Sequence, residues 1–454
     1  MKICVLGTGY VGLVSGACLA DIGHDVVCVD VLQEKVDVIN SAKPPIHEEG
    51  LEEILERNVG TRLSATTDLA EASEGADIVL ICVGTPFDGH HIDLQYVEAA
   101  AEQIGALLKE RDHYTVVTVK STVVPGTTMG PVREALERAS GKVAGDGFGL
   151  GMNPEFLAEG TAVKDFQNPD RIVVGGIDDR STEQLARVYE RFTDIPLLKT
   201  RPSTAEMIKY TSNSLLATMI SFSNEIAHMC EALPDVDVAD VMPGVHQMSH
   251  LKPKGQPLAP PVGMNVFLWP GCGFGGSCFP KDVKALIAQA KDNAVDVPLL
   301  SAVIDINESQ PLTMIEQLKR HVPQLESRRI SVLGLAFKPG TDDVRESPAL
   351  KIVPSLLSEG AQVVCHDPIA TQTGEAALSA QGTDTAGVEF TDDLTEALRG
   401  TDGVLLVTRW PEYESLPQLL AELQRQHAVI VDGRRLIDAS AHSPYEGVGR
   451  ASQL

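Results

Sequence analysis

The tightest constraint on this chain is a glycine-spaced turn close to its start. Gly7-Thr8-Gly9-Tyr10-Val11-Gly12 ends the apolar stretch 2–7 and opens a helical pattern over 11–22, closed by Gly23. A second β-branched run, 25–30, finishes on Asp30, 18 residues beyond Gly12. Strand, glycine turn, helix and strand ending in an acid form the full context of a dinucleotide fingerprint. In that context Gly7 permits the tight turn, Gly9 lets a pyrophosphate approach the backbone, and Gly12 lets the helix pack closely. Unpaired N–H groups and the helix dipole favour the phosphates. Asp30 is suited to accept hydrogen bonds from a ribose diol and to repel a 2′-phosphate, so NAD is expected in preference to NADP.

Short β-branched runs at 77–83 and 115–119, with helical segments between them, extend the alternation and predict a parallel sheet covered by helices on both faces. From Arg329 the pattern starts again and resembles itself. Ile330-Ser331-Val332-Leu333-Gly334 echoes Ile3-Cys4-Val5-Leu6-Gly7, and the run 362–367 echoes 25–30. The segment 391–407 echoes 67–81 in the same order. The second copy reads Gly334-Leu335-Ala336-Phe337-Lys338-Pro339 and has lost the second and third glycines. If both copies bind nucleotides, they must do so differently.

Between the copies the pattern changes. Residues 203–232 carry no Pro or Gly and read as a helix of about seven or eight turns. Ser203-Thr204-Ala205-Glu206 has the form of a capping box at its start. Residues 243–276 are rich in Pro and Gly and read as a long loop, a class that is usually functional. The expected fold class is α/β: two Rossmann-like parallel-sheet domains joined by a long central helix and a small helical domain. The expected boundaries are an NAD-binding domain at 1–200, a central helical and dimerisation domain with the cysteine loop at 201–325, and a C-terminal Rossmann-like domain at 326–454.

Charge narrows the partners. With 63 acidic and 37 basic residues the formal charge is −26. Such a surface repels nucleic acid and anionic membranes, and any anion site must carry local basic groups. No apolar run approaches the roughly 18 residues of a membrane helix. The N-terminus enters a strand-like run with no small-residue cleavage site, so a cytoplasmic protein is expected. Among the eight cysteines there is no CxxC pair, and neither a metal site nor a disulfide framework is indicated. Cys272 and Cys278 stand apart because they lie in a glycine-rich loop.

That loop carries the candidate chemistry. In Gly273-Phe274-Gly275-Gly276-Ser277-Cys278-Phe279-Pro280-Lys281-Asp282, Pro280 is placed to begin a helix. Cys278 would then precede a helix N-terminus, where the dipole and the charge of Lys281 activate a thiol. Asp282 would follow one turn later on the same side. An activated thiol beside a dinucleotide fold points to aldehyde-level chemistry: a thiolate adds to an aldehyde and the adduct gives up hydride. The alternative is a buried cysteine in a tight turn. Lys209 and Asn213, four apart on the central helix, share a face that could hold an oxyanion or simply be solvated. Glu155 and Glu159, two carboxylates four apart, read on spacing alone as a solvated face.

Over essentially its whole length the sequence resembles the UDP-glucose/GDP-mannose dehydrogenase family. The carrying motifs are Gly7 to Gly12, Gly84-Thr85-Pro86, the stretch 120–126 from Lys120-Ser121-Thr122, the stretch 153–165 from Asn153, Glu206-Met207-Ile208-Lys209-Tyr210, Gly273 to Asp282, the stretch 337–348, and Asp432-Gly433-Arg434-Arg435. The resemblance implies two NAD-dependent oxidations of an alcohol to an acid without release of the aldehyde. It implies that Cys278 forms the thiohemiacetal and then the thioester. Lys209, Asn213 and Asp282 would position water and stabilise the alkoxide, with Glu155, Glu159 and Thr122 near the waters and substrate. It also implies NAD contacts at Tyr10, Val11, Lys35, Thr85, Pro86, Ser121, Thr122 and Arg345. Sugar-nucleotide contacts are implied at Phe156, Leu157, Lys209, Asn213, Phe267, Gly273, Phe274, Lys338 and Arg434.

Asp432 to Arg435 and Trp410-Pro411-Glu412-Tyr413 resemble the UDP-glucose branch, which makes UDP-glucose the expected substrate. GDP-mannose or another nucleotide-hexose is the alternative, and a non-catalytic nucleotide-sugar-binding protein is a further one. By the same resemblance the central helix implies a homodimer or an assembly of dimers. Two departures bear on the sugar: Val266 stands where relatives commonly carry a basic residue, and the loop 241–265 is longer than usual.

Overall fold

The structure is a computed structural model and describes residues 1–248 and 266–452. The chain divides into two compact units, Met1–Ser212 and Asn213–Leu454.

Eight strands form the sheet of the first unit: β1 Lys2–Leu6, β2 Asp25–Val29, β3 Leu63–Thr66, β4 Ile78–Ile81, β5 Val116–Val119, β6 Gly149–Met152, β7 Ile172–Gly176 and β8 Leu197–Thr200. Their order is β3-β2-β1-β4-β5-β6-β7-β8. β1 to β6 pair in parallel, β7 runs antiparallel to β6, and β8 is parallel to β7. The order reverses between β1 and β4, the switch point outside which ligands of such sheets bind. β4 and β5 are buried along their whole length, as strands covered on both faces must be. In β1, Ile3 and Val5 enter one core cluster while Cys4 and Leu6 enter the other. The two-residue repeat of the strand thus feeds both layers. The helix Tyr10–Asp21 covers one face and buries Gly12 to Ala20.

The second unit repeats this plan with β9 Arg329–Leu333, β10 Gln362–His366, β11 Val388–Thr391, β12 Gly403–Leu406, β13 Val429–Asp432 and β14 Tyr445–Gly447. The order is β11-β10-β9-β12-β13-β14, all parallel. The likeness reaches single hydrogen bonds. The Lys2 N–H donates to Asp77 Oδ2 at 2.9 Å, and the Arg329 N–H to Asp402 Oδ2 at 3.2 Å. Asp68 caps the helix Leu69–Ser73 through two N–H groups, and Asp393 caps Leu394–Leu398 in the same way. The three echoes in the sequence therefore correspond to equivalent strands and caps.

The central helix runs from Pro202 to Glu231. It starts one residue before the expected box, and the capping reading of Ser203 and Glu206 is corrected. The Glu206 carboxylate instead accepts from Gly126 N (2.6 Å), Thr128 N (2.8 Å) and Thr128 Oγ1 (2.6 Å). With Pro202 as the first helical residue, Glu206 lies beyond the third helical position that a capping-box acid must occupy, and its carboxylate is left for the loop. The expected loop 243–276 also begins too early, because a helix covers Val238–His246 and contains Pro243. Asp237 caps that helix through Ala239 N and holds Arg435 by two bonds of 2.7 and 2.8 Å. Tertiary pairing thus stabilises a short segment whose Pro and Gly argue against a helix. Two further helices follow, Phe279–Asp292 and Pro298–His321.

No described helix is long and apolar enough to cross a membrane. If the paired caps are equivalent, Asp68→Ala and Asp393→Ala should each lower stability by about 1 kcal/mol. Urea denaturation would read this as two similar midpoint shifts, and no shift in either variant would show that the caps contribute nothing.

Candidate active site

The dinucleotide turn has the geometry its glycines imply. Gly7 has φ +102°, and a Cβ there would sit 2.8 Å from the Cys82 carbonyl oxygen. A Cβ at Gly12 would collide with the Gly7 carbonyl, whereas one at Gly9 would meet nothing within 4 Å. Gly9 is the N-cap of the helix and supplies no side-chain cap. Open space in front of uncapped N–H groups is what a pyrophosphate requires, so the residues present fit NAD. Tyr10 and Val11 form the first helical turn.

Asp30 immediately follows β2 and accepts from Thr8 N (3.1 Å), Thr8 Oγ1 (2.5 Å) and Leu32 N (3.1 Å). Lys35 Nζ lies 3.7 Å away. Burial pushes the carboxyl up, but these donors and the ammonium outweigh it and hold it below the ordinary carboxylate range. Nearby, the Thr85 hydroxyl donates to the Thr122 carbonyl at 3.0 Å, and Ser121 Oγ donates to the Val83 carbonyl at 2.6 Å. The Pro86 carbonyl accepts from Asp93 N at 2.8 Å.

The second copy explains its lost glycines. Asp367 immediately follows the equivalent strand, β10, and is fully buried. It accepts from Leu335 N, Ala336 N, Ile369 N, Ala370 N and Trp410 Nε1. Such a carboxylate is committed to its own turn and is unsuited to read a ribose. Phe337-Lys338-Pro339 then leads away without a helix, which begins only at Ala349.

In the first unit, Lys209 Nζ lies 2.8 Å from Glu155 Oε1, with both side chains buried. Glu155 Oε2 accepts from Leu157 N at 2.6 Å. Burial raises this carboxyl, but Lys209, that N–H and the charge of Lys120 outweigh it and keep it below its ordinary value. Spacing alone reads Glu155 as a solvated-face residue, whereas the resemblance places it near the substrate; it is buried and the segment is not helical. Glu159 lies half-buried in the turn that follows. Phe156 lies under the Arg171 guanidinium at 4.0 Å, with Lys209 Nζ 5.5 Å from its ring. Leu157 packs against the first core cluster. Lys120 is buried and donates to Asn153 Oδ1 at 2.9 Å. Thr8 and Lys120 are not singled out by the sequence, although both lie inside quoted motifs, which is the available signal; Glu206 is singled out there, but as a helix cap.

In the second unit, burial separates Cys278 from the other cysteines. None of the eight is in a disulfide, seven are buried, and Cys278 alone is half-exposed. Desolvation raises Cys4, Cys18 and Cys82 to about 12, and it also raises Cys272. Cys272 donates to the Val407 carbonyl at 3.4 Å and belongs to the core. Cys278 is the N-cap of Phe279–Asp292, with Pro280 in the first turn. Its carbonyl accepts from Asp282 N at 2.8 Å. Asn213 Nδ2 donates to Asp282 Oδ2 at 2.6 Å, and Lys281 Nζ donates to Oδ1 at 2.6 Å. Lys281 is therefore paired, and its charge beside the thiol is shared with a buried carboxylate. This corrects the expectation of a simple added cation.

Phe267 and Phe274 pack edge-on against Phe279 at 6.1 and 6.0 Å. Asn307 clamps Phe274 by accepting from its N–H at 2.7 Å and donating to its carbonyl at 3.0 Å. Arg434 donates to the carbonyls of Val407 (2.6 Å) and Gly273 (3.2 Å). Arg345 pairs with Asp343 at 2.7 Å, and Lys338 Nζ lies 5.6 Å from the Phe337 ring. Val266 is exposed, and most of the long loop 241–265 lies outside the described residues. Among the described residues no cluster of acids, histidines and cysteines could hold a metal.

Two variants test the turn and the buried pair. Gly9→Ala should leave stability within about 1 kcal/mol of wild type while weakening NAD binding by calorimetry; unchanged binding would remove the pyrophosphate from that space. Lys209→Met leaves Glu155 buried without its ammonium and should cost about 3–5 kcal/mol at neutral pH. Glu155 sits below its ordinary 4.5 in the folded protein, so it contributes stability above that value, lost as pH falls through the folded pKa. In the variant burial dominates and the folded pKa rises. The deficit relative to wild type should therefore shrink in mildly acid buffer, and a pH-independent deficit would show that the ion pair is not its source.

Comparison with known proteins identifies the fold and the family. Three family models match in order: the NAD binding domain of the UDP-glucose/GDP-mannose dehydrogenase family at residues 1–193, its central domain at 203–309, and its UDP binding domain at 331–439. A UDP-glucose 6-dehydrogenase of Haloferax volcanii is 40% identical over 453 residues, covering 99% of this chain and 100% of the relative. A GDP-mannose 6-dehydrogenase of Pseudomonas putida is 41% identical over 369 residues, 81% of each chain. The solved structure of a UDP-glucose dehydrogenase from Pyrobaculum islandicum superposes with a TM-score of 0.89 at 38% identity, covering 99% of this chain and 98% of that one. With a buried lysine–glutamate pair, a half-exposed cysteine at a helix start and two diverged nucleotide folds, the chain belongs to the UDP-glucose/GDP-mannose dehydrogenase family of NAD-dependent nucleotide-sugar 6-dehydrogenases.

Proposed function

We propose that this protein oxidises the C6 alcohol of UDP-glucose to the carboxylate of UDP-glucuronate through a covalent adduct on Cys278. The observation that carries the reading is the half-exposed thiol at a helix start, followed one turn later by a buried Asp282 held by Asn213. NAD, when bound at Gly7 to Gly12 and Asp30, supplies the hydride acceptor for each of two oxidations.

The residues of the chain do the rest. The first oxidation leaves an aldehyde at C6, and the Cys278 sulfur adds to it as a thiohemiacetal. Loss of a second hydride gives a thioester, and water attacks its carbonyl to release the acid and the free thiol. Two NAD are reduced and one water is consumed per sugar. Lys209 and Asn213, one turn apart on a single helix, present an ammonium and an amide to the oxyanion that develops at each stage. Asp282 orients Asn213 and serves the water. Glu155 pairs with Lys209 and holds it in place, and Glu159 and Thr122 hold water and substrate. Arg434 and Lys338 bind the sugar nucleotide in the C-terminal Rossmann-like domain, 326–454, and Phe156, Leu157, Phe267, Gly273 and Phe274 line the sugar. Thr85, Pro86, Ser121 and Arg345 complete the cofactor contacts beside Tyr10, Val11 and Lys35.

The nearly complete coverage of UDP-glucose 6-dehydrogenase relatives supports UDP-glucose, and the 41% identity to a GDP-mannose 6-dehydrogenase motivates GDP-mannose as the second reading. Met207, Leu215, Phe222 and Met229 form an exposed apolar stripe at seven- or eight-residue spacing on the central helix. That stripe supports a homodimer through this helix. Eight cysteines, none in a disulfide, suit a reducing cytoplasm.

With UDP-glucose the protein should release two NADH per UDP-glucuronate formed, and kcat/KM should exceed that for GDP-mannose. Turnover with GDP-mannose alone would overturn the sugar assignment and keep the chemistry. Cys278→Ala should lower acid formation by at least about a thousandfold; unaltered acid formation would remove the thioester route.

A further inference from the structure

The cofactor turn and the acid-bearing loop of the first unit share a hydrogen bond outside the scheme above. The Gly160 N–H lies 2.6 Å from the Tyr10 hydroxyl oxygen and 2.7 Å from Glu48 Oε2. Gly160 follows Glu159 and has φ +81°, so the chain reverses there. Glu48 is buried and also accepts from Val163 N at 3.3 Å, in the first turn of the helix Ala162–Gln167. That helix packs against the helix Tyr10–Asp21. Earlier in the loop, Leu157 N donates to Glu155, and Ala158 N donates to Asp165 Oδ2 at 2.9 Å.

Tyr10 differs from these carboxylates in where its backbone lies. It is the first residue of the helix whose uncapped N-terminus receives the cofactor phosphates. Its ring packs against the same core cluster as Leu157, and a phenol has only two side-chain torsions through which to absorb motion. A shift of the turn is therefore passed to the hydroxyl and to Gly160. The two acceptors also have different strengths. A bond to the Glu48 carboxylate is charge-assisted and the stronger of the two, so Glu48 satisfies the Gly160 N–H even without the phenol oxygen. The Tyr10 oxygen is thus dispensable for the fold and available for coupling.

We propose that Tyr10 is a positioning residue that ties the NAD turn to the loop carrying Glu159, so that occupancy of the cofactor site sets the placement of that carboxylate. The proposal rests on the reading that Glu159 serves the reaction, and the experiment separates the two. In Tyr10→Phe, made in the full chain, thermal stability stays close to wild type. KM for NAD stays within about threefold, because backbone N–H groups hold the phosphates. The value of kcat falls about tenfold, the size of a sub-ångström misplacement. In wild type, NAD slows amide hydrogen exchange over 157–163, and in Tyr10→Phe that slowing is lost. Equal protection by NAD in both proteins overturns the tether. Unchanged turnover in Glu159→Gln overturns the reading on which the proposal rests, whatever the exchange data show.

Discussion

The close approach of Gly12 to the Gly7 carbonyl is the constraint on which the first unit depends. It lets the helix Tyr10–Asp21 lie against β1 and bury Gly12 to Ala20. That packing leaves the helix N-terminus open beyond Gly9, aimed at the switch point between β1 and β4. A methyl group at Gly12 would push the helix off the sheet, and the anion site would go with it. Fold and cofactor chemistry are thus two consequences of one missing side chain.

The same plan occurs twice in the chain and has been put to different uses. Both copies follow their second strand with an acid and close their first turn on it. In the first copy Thr8 supplies an N–H and a hydroxyl, and Lys35 stands just beyond hydrogen-bond range. In the second, five donors surround Asp367, among them the indole of Trp410. A carboxylate whose lone pairs are filled by its own chain holds a turn together; one with remaining capacity recognises a ligand. The lost glycines and the added tryptophan are parts of one conversion, from dinucleotide turn to closed structural turn.

Buried charge marks the elements that carry the candidate site. Lys209, Glu155 and Lys120 are buried in the first unit, and Asp282 in the second. Removing such groups from water costs several kcal/mol each unless they are paired, and here each has a partner within 2.9 Å. These are poor choices for stability alone, and they suit the proposed reaction, in which negative charge builds on an oxygen. The cysteines show the converse. Seven are buried apolar residues, and only Cys278 sits half-exposed at a helix start.

Most of the architecture was legible in the sequence because it is local. The spacing of Gly7, Gly9 and Gly12, the alternating runs, the self-resemblance of the two halves and Pro280 after Cys278 all act within a few residues. The sequence misled where a distant partner decides the outcome. Glu206 reads as half of a capping box, yet it anchors the loop at Gly126 and Thr128. The helix Val238–His246 forms despite Pro243 because Asp237 is held by Arg435, 198 residues away. Glu155 looks like a surface acid until the fold brings Lys209 against it. Sequence by itself determined the two nucleotide folds, the cofactor turn and the candidate nucleophile, since backbone sterics and periodicity are written in neighbouring residues. Tertiary structure decided which acids are buried and paired, which cysteine is reachable and which turn remains open to a ligand. Burial and pairing depend on residues far apart in the chain, and local pattern carries no measure of either.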